Sequence, residues 1–178
     1  MARLSWLQRI YWQHLSKPAA ERQVFLHVLE NPVHSILEIG LGSGERISRV
    51  VPSCIRPADG KPIRYTAIDP FESLSKGHLS LKSAHRLLTE LGLKAQLIPG
   101  EPASAVARVA HSVLPSDLIV IDGYWSDTSE NGQAIRQWLP RLCHSQSAIF
   151  ASSIPGGSLE RIEVPSNALP LSNLPKVA

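Results

Sequence analysis

The chain is poor in the residues that build cross-linked or metal-stapled proteins. Its 178 residues include two cysteines, Cys54 and Cys143, far apart and without metal-ligand spacing. That excludes a disulfide framework and a cysteine-based zinc site, and reduced thiols in the cytoplasm are the expectation. No apolar run reaches the length of a membrane span, and the first residues lack the continuous apolar stretch of a secretory signal. Lys and Arg exceed Asp and Glu by three, and the cations are scattered. Without a basic stripe and interleaved aromatics, nucleic acid is not the expected partner. The seven histidines are scattered too, so none stands out as a base. What remains is a length and composition suited to one globular domain with a sizeable core.

Hydrophobic periodicity organises that domain. Residues 4–15 and 18–30 carry apolar positions at helical spacing, and Pro32 ends the second run. Residues 35–39 read as a first strand, followed by a helix to Val51. A Pro-rich loop over 52–62 leads to a second strand over 63–68. Leu74, Leu81 and Leu88, seven apart, predict an amphipathic helix over 73–91 with Gly92 behind it. A third strand over 96–98, a helix over 102–113 and a buried fourth strand over 118–121 follow. A helix around Ala134–Leu142 and a fifth strand over 148–151 complete the alternation. Strands alternating with helices imply a parallel sheet, and short continuous apolar strands imply cover on both faces. The expected fold is α/β, Rossmann-like and doubly wound, with residues 1–33 as N-terminal helices and 34–151 as the core. The tail 152–178 is rich in proline, with one short strand over 159–164. It shortens the fold at its C-terminus and leaves a sheet edge for a second copy or a protein partner to cover.

The chemistry concentrates at Ile36-Leu37-Glu38-Ile39-Gly40-Leu41-Gly42-Ser43-Gly44. A strand here runs into a glycine-rich turn, which lets a ligand lie against the backbone at the carboxyl end of the sheet. The spacing Gly40, Gly42, Gly44 is not the dinucleotide fingerprint, whose third small residue would fall on Glu45 or Ile47. The Gly-Lys-Ser/Thr of a phosphate loop is absent as well. Glu38 beside the turn would repel a pyrophosphate and suits an amino group or hydroxyls. Three further acids follow strands: Asp69, Glu101 and Asp122. Asp69 stands where a carboxylate can accept hydrogen bonds from a ribose diol, though further along than the usual ~20 residues.

These segments resemble those of the class I S-adenosylmethionine (SAM) dependent methyltransferases. Glu38 with Gly40, Gly42 and Gly44 resembles their first motif, and Tyr65-Thr66-Ala67-Ile68-Asp69 their second. Gly100-Glu101-Pro102-Ala103 and Ile121-Asp122-Gly123 are similar to segments of small-molecule O-methyltransferases of the catechol and caffeoyl-CoA type. The resemblance covers residues 35–151. It implies SAM as cofactor, with the glycine turn and Glu38 on its methionine part, Asp69 on its ribose, Glu101 near its adenine and Asp122 near its sulfonium. It also implies a small-molecule acceptor, with Tyr124 and Trp125 as aromatic walls of its site or as core residues. Metal-dependent members carry an Asp-Asn pair after the fifth strand. Ser152 and Ser153 stand there here, so no metal is expected; Asp122 alone is too few oxygens for a hard cation. No nucleophile and base are paired in the sequence, so no catalytic residue is singled out. A non-catalytic binding or scaffold protein of the same fold is the alternative reading, and a nucleotide-dependent oxidoreductase is disfavoured by the glycine spacing.

Overall fold

The computed structural model describes Ile10 and residues 18–55, 60–73 and 78–170. The helix expected over 4–15 lies, apart from Ile10, outside the described residues, as do Leu74 and the end of the tail. Six strands form one sheet in the order β3-β2-β1-β4-β5-β6. They are β1 (Ser35–Ile39), β2 (Arg64–Asp69), β3 (Lys94–Pro99), β4 (Ser116–Asp122), β5 (Cys143–Ser152) and β6 (Glu160–Ile162). All neighbours run parallel except β6, which pairs antiparallel with β5. The order reverses between β1 and β4, which places the ligand-binding crevice of this architecture at their carboxyl ends.

Helices cover both faces. On one side lie α1 (Arg22–Glu30), α2 (Glu45–Val50) and α3 (Leu81–Glu90); on the other lie α4 (Pro102–Ser112) and α5 (Glu130–Leu142). The strand alternation sorts the core accordingly. Ile36, Tyr65, Ala67, Leu118, Val120 and Phe150 pack toward the first side. Leu37, Ile39, Ile68, Ile119, Ile121 and Ile149 pack toward the second. All five residues of β1 are buried, as a central strand covered twice requires.

The expected architecture holds, with three boundaries corrected. The helix expected from residue 73 starts as α3 at Leu81, where Ser80 caps it by accepting the Ser83 N–H at 3.1 Å. Phe71–Ser73 is instead a short 3-10 turn. The third strand runs Lys94–Pro99 because its backbone pairs with β2 beyond its apolar centre. The fifth begins at Cys143, its polar start hiding it from hydropathy. There the His144 ring and Asp117 Oδ1 lie 3.1 Å apart, and Ser147 Oγ donates to Ser116 O at 2.7 Å. The short strand expected over 159–164 forms as β6 and covers the open side of β5 over Ile149–Ala151.

Candidate functional site

A cavity of about 440 Å³ opens at the carboxyl ends of β1 and β4. Gly40, Gly42, Arg46, His78, Asp122 and Tyr124 line it, with Pro18, Ala20, Glu21 and Pro155 to Gly157 at its rims. It falls in the size range of small-molecule sites. Gly40 and Gly42 have different reasons to be glycine. Gly40 has φ +91°, and a Cβ there would stand 2.5 Å from the Asp122 carbonyl oxygen. The β1 and β4 chains therefore approach too closely for a side chain. Gly42 has φ +59°, and a Cβ there would meet nothing within 4 Å. Its missing side chain is part of the open space of the cavity. Gly44 is the residue before α2 and packs under Leu79 and Leu87 instead of lining the cavity.

The four acids occupy different depths. Asp122 lines the cavity. Glu38 and Asp69 lie one layer behind it, 1 % and 0 % exposed. Glu101 sits outside it, ahead of α4, where its Oε2 accepts from Asn131 Nδ2 at 3.2 Å. The same Asn131 accepts the Ala103 N–H, so Glu101 belongs to the α4–α5 contact. Tyr124 forms part of the wall. Burial, then the charges of Glu101, Asp69 and Asp122, push its phenol up to about 12, so it is neutral at ordinary pH. Trp125 is held elsewhere, its ring under the Arg136 guanidinium at 4.0 Å.

Two residues that sequence reasoning did not single out organise the site. Arg46, in the first turn of α2, is 8 % exposed. Its Nε donates to Glu38 Oε1 at 2.8 Å. Its Nη1 and Nη2 both donate to Asp122 Oδ2, at 2.9 and 2.8 Å, and Nη2 also donates to the Gly40 carbonyl. The Tyr65 hydroxyl donates to the other Glu38 oxygen. Burial raises the Glu38 carboxyl, against the pull of Arg46 and Tyr65. Burial would lower the Arg46 pKa, yet Glu38 and Asp122 outweigh it and hold the guanidinium charged. One signal for Arg46 was present in the sequence. A glutamate inside an otherwise apolar central strand requires a buried partner, and Arg46 is the cation eight residues on, just past the turn.

His78 is the second. Its Nδ1 lies 3.1 Å from Asp69 Oδ1. Asp69 also accepts the Gly42 N–H through Oδ2 at 3.0 Å and the Phe71 N–H through Oδ1 at 2.6 Å. Phe71 has φ +50°, so a strained turn is held on this carboxylate. Glu38 and Asp69 thus share a plan: each buried acid is fronted by a basic side chain that faces the cavity. The Asp122 carboxylate is further fixed through Oδ1, which accepts the Gly156 N–H at 2.8 Å. Among the described residues, no group of three or more His, Cys, Asp or Glu is placed to hold a metal ion.

No family model matches the chain, and comparison with curated proteins finds no match. Solved structures do. The O-methyltransferase TomG from Streptomyces achromogenes, in complex with SAM, is 18% identical with a TM-score of 0.51 over 78% of this chain and 56% of that one. The chain has the class I methyltransferase fold. SAH-bound methyltransferase PaMTH1 from Podospora anserina aligns with TM-score 0.53 and 13% identity, over 82% of this chain and 60% of that one. The C-terminal domain of precorrin-6Y C5,15-methyltransferase from Rhodobacter capsulatus gives 0.50 and 14%, over 78% and 63%. At 56 to 63% of these neighbours' length, this methyltransferase-fold chain shares their sheet without spanning the whole of any of them.

Proposed function

We propose that this chain binds SAM in the cavity at the ends of β1 and β4 and transfers its methyl group to a small molecule. The observation that carries the reading is the glycine turn, open at Gly42 and ringed by more carboxylates than cations. Glu21, Glu45 and Asp122 line the cavity and Glu38 and Asp69 back it, against the guanidinium groups of Arg46 and Arg49. Such surroundings suit a ligand carrying a sulfonium cation. The neighbours crystallised with SAM or its demethylated product support the same cofactor.

Bound there, SAM would supply an electrophilic methyl group on sulfur. The residues would act by holding. The bare backbone at Gly42 admits the methionine part, Asp122 and Arg46 fix the charge around it, and Tyr124 closes the wall as a neutral ring. Transfer in line to an oriented nucleophile draws mainly on positioning. A base enters only if the acceptor is protonated. The two buried cysteines, Cys54 and Cys143, form no disulfide, which suits a reducing compartment such as the cytoplasm.

A non-catalytic binding role is the second reading. It is favoured by Arg46, which engages both Glu38 and Asp122 and leaves neither as a free carboxylate. Calorimetry with SAM and S-adenosylhomocysteine tests the first step. Binding of neither by folded protein sinks the first reading. Binding without methylation of a broad panel of hydroxyl, thiol and amine acceptors selects the second.

A further inference from the structure

Asp69 stands at the end of β2, where a ribose-binding acid is expected, yet it does not line the cavity. It is 0 % exposed. An ionised carboxylate only accepts, through about four lone pairs. Three donors already engage this one: the N–H groups of Gly42 and Phe71 and the Nδ1 of His78. The two backbone bonds hold the glycine turn and the turn after β2, so they cannot be released without disturbing both. What the cavity meets in this direction is His78, which lines it with 24% of its side chain exposed. Facing a carboxylate that only accepts, Nδ1 is the donor, and in the neutral tautomer this contact selects it holds the one ring proton. Nε2 is then left as an acceptor, with no hydrogen-bond partner among the described residues.

We infer that His78, seated on Asp69, is the group that reads the ribose hydroxyls of a nucleoside-bearing ligand in this cavity. This rests on the SAM reading above. Nε2 accepts from a ribose hydroxyl, and Asp69 fixes the ring orientation and tautomer from behind. The acid at the end of β2 acts through the imidazole, and His78 is a positioning residue for the cofactor.

The test is a binding measurement, because Asp69 substitutions would also undo the turns at Gly42 and Phe71. Calorimetry compares S-adenosylhomocysteine with its 2′,3′-dideoxyribose analogue on wild type, His78→Ala and His78→Phe. The phenylalanine variant keeps the ring volume, and circular dichroism verifies that each variant is folded. Wild type is expected to prefer the ribose form by about tenfold, the scale of one net hydrogen bond. In both variants that preference should fall to within about twofold, while affinity for the dideoxy analogue changes little. If either variant retains the wild-type preference, the hydroxyls reach Asp69 or another group directly and the inference is overturned. Wild type that binds the homocysteine ligand without any preference overturns it too. Wild type that binds neither compound removes the SAM reading itself, a result distinct from the other two.

Discussion

Arg46 and Asp122, seventy-six residues apart, are joined by two hydrogen bonds from the guanidinium to a single carboxylate oxygen, at 2.9 and 2.8 Å. Glu38 takes the third arm. This arrangement ties the start of α2 to the ends of β1 and β4, the strands between which the sheet order reverses. Removing the cation would leave Glu38 buried and uncompensated. Arg46→Met is therefore expected to destabilise the fold by about 3–5 kcal/mol, the range for breaking a buried ion pair from one side. A urea titration checks this. The double variant Arg46→Met with Glu38→Gln should recover much of the loss, and a sum of independent effects would contradict the pairing.

Gly40 and Gly42 should separate stability from binding. Gly40→Ala forces a Cβ against the Asp122 carbonyl and is expected to lose about 2–4 kcal/mol by the overpacking and strain it imposes. Gly42→Val meets open space in the protein and should cost only about 1–2 kcal/mol from its left-handed backbone. Its side chain would fill the cavity, so calorimetry should detect no binding of SAM or its demethylated product. Retained binding in folded Gly42→Val would place the ligand elsewhere.

Much of this was legible beforehand, for reasons that can be stated residue by residue. Leu118-Ile119-Val120-Ile121 announces a strand covered on both faces because no solvated face interrupts it. The turn of Gly40, Gly42 and Gly44 announces a place where side chains are withheld, but only at Gly42 does that leave open space; Gly40 abuts the Asp122 carbonyl and Gly44 packs under Leu79 and Leu87. Position after a strand likewise located Asp69 and Asp122. The depth of each acid was not legible. Whether a carboxylate faces a cavity or stands behind a basic side chain depends on partners such as Arg46 and His78, which local sequence presents as an ordinary helix cation and an ordinary loop residue. The start of β5 was hidden for a related reason, since His144 and Ser147 are polar residues satisfied by Asp117 and by the Ser116 carbonyl.

Asp117 carries a comparable load at the opposite end of the sheet. Its Oδ2 accepts the His34 and Ser35 N–H groups and the Ser35 hydroxyl at 2.8 to 2.9 Å, and its Oδ1 lies 3.1 Å from His144 Nε2. Asp117→Ala leaves two backbone donors and a 3 % exposed imidazole without their acceptor. A loss of about 2–4 kcal/mol follows if each orphaned donor costs on the order of 1 kcal/mol or more. Thermal unfolding measures it. SAM affinity, corrected for the folded fraction, should stay unchanged because the site lies at the other ends of the strands.

His27 should make the fold acid-sensitive. Burial, aided by Arg161 and opposed by Asp117, lowers its pKa from 6.5 to about 4. Its ring packs 5.9 Å from that of Phe150. Between those values the unfolded chain binds a proton that the folded chain refuses. Stability is therefore full above about pH 6.5 and falls as pH drops toward about 4. Part of the ring reaches water, so the share from His27 is discounted to about 1–2 kcal/mol. Urea midpoints at about pH 7 and about pH 5 should differ more in wild type than in His27→Leu. Equal differences would assign the acid sensitivity to other groups.

The bond from Gly156 N–H to Asp122 Oδ1 gives the carboxylate a second duty. With Arg46 on one oxygen and the loop after β5 on the other, Asp122 works as a rivet through two walls of the cavity. A rivet cannot turn toward a newcomer without slackening one of the plates it joins. A ligand that recruits this carboxylate can use the lone pair Oδ1 still offers, and it then shares that oxygen with the loop held through Gly156.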